Sequence, residues 1–145
     1  MKRVYISGKI GEEVISEGTR QKFAKAEEML KAKGFEVFNP TCVEWQRHVR
    51  KMFEKDREAK EPWLEGQFPD LYGYTLLRDQ MVLSTKDAIY MLADWTQSAG
   101  SNVELYFARA TGKQIFWENK EDALVFGDDD NNYNVWLPIE EGGEP

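Results

Sequence analysis

The chain holds one cysteine, Cys42, and one histidine, His48, in 145 residues. A lone cysteine excludes an intrachain disulfide and fits a reducing compartment. One His and one Cys together argue against a zinc site of the usual ligand set. No Gly-x-Ser-x-Gly elbow is present, so a Ser-His-Asp triad built on His48 lacks its nucleophile turn. Positive charge is also short: 19 Lys and Arg stand against 26 Asp and Glu, for a net charge of −7. Such a chain gains no general attraction to nucleic acid or to an anionic membrane. A small phosphorylated ligand stays open wherever a few donors converge. No apolar run approaches the ~20 residues that cross a bilayer. The opening MKRVYISGKI is interrupted too early by Gly and Lys to act as a signal peptide. The expectation is a cytoplasmic protein with neither a nucleic acid polymer nor a membrane as partner. Gly-Lys-Ser/Thr at P-loop spacing and Gly-x-Gly-x-x-Gly are both missing. Carboxylates are left to carry whatever chemistry there is.

What is present is an ordinary globular balance, 41% hydrophobic and 31% charged, in a length that suits a single domain over residues 1–145. RVYIS at 3–7 is a short β-rich run that stops at Gly8. Residues 16–33 turn helical, with Phe23, Ala26 and Leu30 at helical spacing, and Gly34 closes the helix. FEVF at 35–38 is a second strand, ended by Asn39-Pro40. Residues 43–73 form an excursion: a solvated helix with Trp45, Val49, Met52 and Phe53 on one side, then a loop. Such a loop is either a lid or a packed detour. A helix follows at 74–85, a strand at 87–92, a helix at 102–111 and a strand at 114–117. KEDALVF predicts a short helix, VWLP a last strand, and residues 140–145 a frayed tail. Alternating strands and helices predict an α/β, flavodoxin-like three-layer sandwich around a mostly parallel sheet of four to five strands.

In such sheets ligands bind beyond the carboxyl ends of the strands. Three segments meet there: Gly8 to Gly11, Asn39-Pro40, and the loop 94–102. Glu104 lies at the mouth of the expected crevice. Ser101-x-x-Glu104 fits a capping box, which would explain the carboxylate by structure alone. The same place near a helix N-terminus would keep a carboxylate ionised, as a nucleophile requires. Ser98-Ala99-Gly100 reads as a phosphate seat or as an ordinary turn. Gly8 reads as a point of close ligand approach or as a tight turn. Asp79 is either a boundary acid facing the crevice or a solvated helix residue, and Asp87 reads as structural.

The order Tyr5-x-x-Gly8-x-Ile10, Asn39-Pro40, Arg78-Asp79, Asp87-Ala88-Ile89-Tyr90, Ser98-x-Gly100-x-x-x-Glu104-x-x-x-Ala108 and Gly112-Lys113 resembles the nucleoside 2-deoxyribosyltransferase superfamily. A small phage and bacterial branch shares the Trp95-x-x-Ser98 pattern. The Ser-x-Gly-x-x-x-Glu element is similar to that of the 2′-deoxynucleoside 5′-phosphate N-hydrolases. The resemblance spans residues 3–117. It implies a homo-oligomer, a dimer or larger, that cleaves an N-glycosidic bond without metal or organic cofactor. It implies Glu104 as the nucleophile, Asp79 as a carboxylate near base or sugar, and Tyr5 as the hydroxyl that orients Glu104. It implies Gly8, Lys9, Ile10 and Asn39 as substrate-binding residues, with Ser98 and Gly100 as the phosphate seat. Asn131, Asn132 and Tyr133 would reach a neighbouring subunit's site. The chain departs from the pattern at Gly11, where the hydrolases carry an arginine that Lys9 can replace only as a point charge. Ser98 stands where the transferases carry an Asp. Trp45, Trp63, Phe68 and Tyr72 can stack a base or simply pack.

The expected function is cleavage of the N-glycosidic bond of a deoxynucleoside or its 5′-monophosphate through a covalent Glu104 ester. Two other functions fit the same residues: a nucleotide-binding module without catalysis, and a glycohydrolase acting on NAD-like nucleotides.

Overall fold

The computed structural model describes residues 1–10, 14–57, 63–64, 66–126 and 134–139. Five strands form one parallel sheet: β1 Arg3–Ser7, β2 Glu36–Phe38, β3 Ala88–Met91, β4 Gln114–Trp117 and β5 Asn134–Trp136. Their order is β2-β1-β3-β4-β5, the flavodoxin-like order whose switch point lies between β1 and β3. Five helices join them: α1 Glu17–Ala32, α2 Val43–Asp56, α3 Leu71–Ser84, α4 Ala99–Ala110 and α5 Lys120–Phe126. The flavodoxin-like α/β expectation holds. Among the described residues no helix is long and apolar enough to cross a membrane.

Side chains alternate across a strand, so one strand serves two faces. Val4 and Ile6 of β1 join Phe23, Ala26 and Leu30 of α1 in one core cluster, together with Ala88, Tyr90 and Phe116. Tyr5 lies in the other cluster, with Leu83 of α3, Leu105 and Ala108 of α4, and Ile89, Met91 and Trp117. Ser7 follows Tyr5 onto that second face. α2 packs against α3 and so extends the second layer outward.

Local chemistry sets the helix ends. Ser16 caps α1 by accepting the Thr19 N–H at 3.2 Å. Gly34 follows with φ +93°, the left-handed conformation that glycine enters without steric cost. Two helices begin three residues earlier than the sequence pattern predicts. Asp70 accepts the Gly73 N–H at 2.7 Å and starts α3 at Leu71 rather than 74. Ser98 accepts the Ser101 N–H at 3.1 Å and starts α4 at Ala99 rather than 102. In both cases a stronger capping side chain stands one turn upstream of the apolar periodicity. Asp87 is structural, as expected: it accepts the Arg3 N–H at 2.8 Å and pairs with the Arg3 guanidinium.

Candidate functional site

A cleft of about 550 Å³ opens at the carboxyl ends of the strands. β1 and its following turn form the floor through Tyr5, Gly8, Lys9 and Ile10, and Pro40 enters from beyond β2. Gln46 and Arg50 of α2 form one wall with Thr75 and Asp79 of α3, and the first two turns of α4 form the other. The excursion at 43–73 therefore contributes a wall through α2 and the start of α3. Residues 58–62 and 65 of its loop lie outside the described residues, as do Gly11, Asn131, Asn132, Tyr133 and 140–145.

Glu104 is the centre of this arrangement. It is only 6% exposed and lines the cleft. Tyr5 Oη donates to one carboxyl oxygen at 2.7 Å, and Ser7 Oγ donates to the other at 2.6 Å. Residues 5 and 7 share a strand face, so both hydroxyls point at the same helix. The capping box is not formed. The Ser101 N–H goes to Ser98, and Glu104 sits six residues past the cap, in the second turn. Its carboxyl binds side chains from the sheet and leaves the helix end alone. The expectation that the helix N-terminus keeps Glu104 ionised is also corrected. Burial raises its pKa to about 8 against the bonds from Ser7 and Tyr5, which lower it; the Asp79 charge adds to the rise. Tyr5 is raised well above its ordinary value, first by burial and then by the carboxylates of Glu104 and Asp79, so it donates as a neutral phenol.

Asp79 is 7% exposed, on the cleft side of α3 rather than in solvent. Trp45 Nε1 donates to its carboxyl at 2.9 Å. Burial raises Asp79 to about 7, with the Trp45 bond opposing the rise. Two carboxyls with raised pKa values thus share one cleft, an arrangement that structural acids on a surface do not show.

The remaining predicted residues divide. Gly8, Lys9, Ile10, Ser98 and Gly100 line the cleft. A Cβ on Gly8 would fall 2.5 Å from Leu92 Cδ1, so close packing of β1 on β3 demands glycine there. Lys9 donates its backbone N–H to Asp94 at 3.0 Å, which ties the turn after β1 to the loop after β3. Asn39 does not line the cleft. Its amide donates to Glu27 at 3.0 Å, and its carbonyl oxygen accepts from Thr41 N–H and Oγ1. It shapes the turn that carries Pro40 inward, as Asn commonly does by bonding two residues on. Of the aromatics, Trp45 holds Asp79 and packs edge-on against Phe38, and Phe68 packs on Tyr74. Trp63 is 96% exposed, and only Tyr72 among the four lines the cleft.

Sequence reasoning missed Ser7, Arg50 and Gln46, and took Ser101, which lines the cleft, only for a helix cap. The signal for Ser7 was available in the period-two alternation from Tyr5. The signal for Gln46 and Arg50 was their four-residue spacing, which puts them on one helical face.

A family model described as a domain of unknown function (DUF4406) matches residues 71–117. The matched segment holds Asp79, Ser98, Gly100 and Glu104. Two solved structures are similar to the chain. One is a 2-deoxyribosyltransferase of Bacillus psychrosaccharolyticus, with 16% identity, a TM-score of 0.49, and coverage of 79% of this chain and 70% of that one. The other is a conserved protein of Enterococcus faecalis V583, with 15% identity, a TM-score of 0.49, and coverage of 96% and 82%. No curated protein matches.

Proposed function

We propose that the chain cleaves the N-glycosidic bond of a deoxynucleoside or deoxynucleoside 5′-monophosphate. The observation that carries this is Glu104: a buried carboxyl, gripped at both oxygens by β1 hydroxyls, that still faces an open cleft. Folding alone gives no reason to bury an acid there. Burying a carboxylate is costly, and the two hydroxyl bonds offset only part of that cost.

In the proposed reaction an ionised Glu104 attacks the anomeric carbon of the sugar. The carbon–nitrogen bond breaks, and its electron pair leaves with the base. Asp79, protonated, delivers a proton to the departing nitrogen. The result is a glycosyl ester on Glu104 and a carboxylate on Asp79. Asp79 then takes a proton from water, which opens the ester and returns both acids to their starting forms. A second base in place of water makes the reaction a transfer. Tyr5 and Ser7 fix the carboxyl in the attacking orientation and disperse its charge. Division of roles between two carboxyls in different surroundings is the established logic of glycosidic cleavage.

The test is chromatography of products from deoxynucleosides, their 5′-monophosphates, ribonucleotides and NAD, with and without an acceptor base. Wild type releases base and Glu104→Gln loses at least about 10³-fold, in line with removal of a covalent nucleophile. Undiminished release by Glu104→Gln would sink the proposal. The pH profile adds a second check. Attack needs Glu104 ionised and proton delivery needs Asp79 protonated; with Glu104 raised to about 8 and Asp79 to about 7, that form is a minor share of the singly protonated pair, so the rate rises with pH up to about 7 and falls above about 8. The expected profile is a bell centred between these values, with apparent constants that belong to the pair. Asp79→Asn should remove the alkaline limb.

A further inference from the structure

The two oxygens of the Asp79 carboxyl have different surroundings. Oδ1 accepts the Trp45 indole N–H at 2.9 Å. Oδ2 accepts no hydrogen bond among the described residues, yet it is not one of the buried polar atoms left without a partner. It therefore meets open space, and the open space beside Asp79 is the cleft. An indole nitrogen donates and never accepts. A neutral carboxyl has one O–H and one purely accepting oxygen. With Oδ1 occupied by a donor, the proton of neutral Asp79 belongs on Oδ2.

Trp45 comes from α2, which carries no strand of the sheet and packs against α3. Trp45, Val49 and Phe53 follow at four-residue spacing and so share one helical face. Val49 is buried, and the Phe53 ring lies 5.4 Å from that of Tyr74 on α3. Phe38 and His48 pack on the indole itself, at 5.4 and 5.7 Å, and so fix the direction of its N–H. Phe38 also stacks on Tyr5 at 5.5 Å. One ring at the end of β2 thus touches both the residue that holds Glu104 and the residue that holds Asp79. The titratable groups that face Asp79 are Glu104 from α4 and Tyr5 from β1, with Lys9 and Arg50 lining the same cleft.

We infer that Trp45 is a positioning residue: its N–H pins Oδ1 of Asp79 and so keeps the acid proton on Oδ2, aimed into the cleft at the leaving nitrogen. This rests on the proposed cleavage, in which Asp79 protonates the departing base. One proton moves from Oδ2 to the base nitrogen as that nitrogen takes the electron pair of the broken bond. Oδ1 keeps its bond to Trp45 throughout. That bond strengthens as Asp79 becomes a carboxylate, because an ionised acceptor takes a stronger hydrogen bond than a neutral one. Trp45 therefore favours release of the proton as well as its direction, an interaction that grows toward the transition state.

Two measurements test this. The first is independent of turnover. In the Glu104→Gln background Asp79 is, among the described residues, the one carboxyl left on the cleft. The Trp45 indole N–H, followed by proton–nitrogen NMR, should shift with pH at the midpoint of the Asp79 carboxyl carbon and stay flat in Asp79→Asn. His48→Gln, which changes the ring beside Trp45, should leave that midpoint in place. Trp45→Phe keeps a ring against Phe38 and should move the Asp79 midpoint up by about one pH unit, as loss of a bond to the charged form does. The second measurement uses the leaving group. Ordinary 2′-deoxynucleosides and their 5′-monophosphates need a proton on the departing base. Their N7-methylated guanine counterparts already carry positive charge and lose a neutral base without one. Trp45→Phe should lower kcat on the ordinary substrates by about 10-fold, within what a general acid supplies, and change kcat on the N7-methylated ones by less than about twofold. Equal loss on both substrate types, or no loss on either, overturns the inference and makes Trp45 a packing residue. So does an indole N–H that ignores Asp79. Release of no base from any substrate by wild type would remove the cleavage and leave the Trp45–Asp79 bond, which the NMR titration judges by itself.

Discussion

The two faces of the sheet differ in kind although the same strands build both. On the α1 side, Val4, Ile6, Phe23, Ala26, Leu30 and Ala88 are fully buried and wholly apolar. On the α3 and α4 side, the buried set includes Ser7, Asp79, Ser101 and Glu104 beside Leu83, Ile89 and Leu105. β1 passes from one regime to the other at every residue. The first face lowers the free energy of folding by burying apolar surface. The second gives up part of that stabilisation to hold polar groups where a ligand can reach them. A fold that needed only to be stable would have made the two faces alike.

Substitutions on the two faces should therefore change stability in opposite directions. Leu30→Ala removes a fully buried side chain from the α1 face. It should destabilise by about 2–5 kcal/mol, the range for cavities of this kind. Denaturant unfolding measures it, and turnover per folded molecule should stay at the wild-type level. On the other face, Glu104→Gln should stabilise while it abolishes turnover. The carboxyl has a pKa of about 8 when folded, against an ordinary value of 4.5. Below 4.5 it is protonated in both states, and the two proteins should be close in stability. As pH rises from 4.5 to 8, the unfolded chain gives up its proton while the folded chain keeps it, so the wild type loses stability. The advantage of the variant should grow across that window and reach roughly 1–3 kcal/mol at pH 7. A variant less stable than wild type at every pH would mean that the second face is an ordinary polar core.

The same contrast explains what could be read from the sequence. The apolar face was legible because its pattern is periodic: Phe23, Ala26 and Leu30 mark a helix stripe, and Val4 and Ile6 mark a strand. The strand–helix order then led to the flavodoxin-like sheet, and the rule for strand ends put Gly8, Ser98 and Glu104 on one edge. The polar face was legible only in part. Ser98 and Ser101 both stand before an apolar run, and nothing local says which one caps. The choice of Ser98 moves Glu104 from the first turn to the second and removes the capping box. Asn39 has the residue type of a ligand contact and the position of a turn former; only its bonds to Glu27 and Thr41 decide the matter. Arg50, and the bond from Trp45 to Asp79, escaped because the contacts that give them meaning come from α3 and the cleft, far away in sequence. Long-range polar contacts leave no period to detect.

The smallest effects expected on the second face concern the two hydroxyls, and they can be ranked. Both bonds lower the pKa of Glu104, and the Ser7 bond is the stronger influence. Tyr5→Phe keeps the ring that stacks on Phe38, with centroids 5.5 Å apart, and removes only the donor. It should cost about 1 kcal/mol of transition-state stabilisation, or roughly fivefold in turnover, because Ser7 still holds the other oxygen. Ser7→Ala should cost more. Each loss makes ionised Glu104 harder to form; because Glu104 already lies above Asp79, this lowers the maximum and should move the falling limb of the pH profile to higher pH in both variants, and further for Ser7→Ala. If the limb stays in place while turnover falls, the hydroxyls position Glu104 without setting its charge. If Tyr5→Phe moves it further than Ser7→Ala, the shorter bond from β1 is not the one that governs the carboxyl.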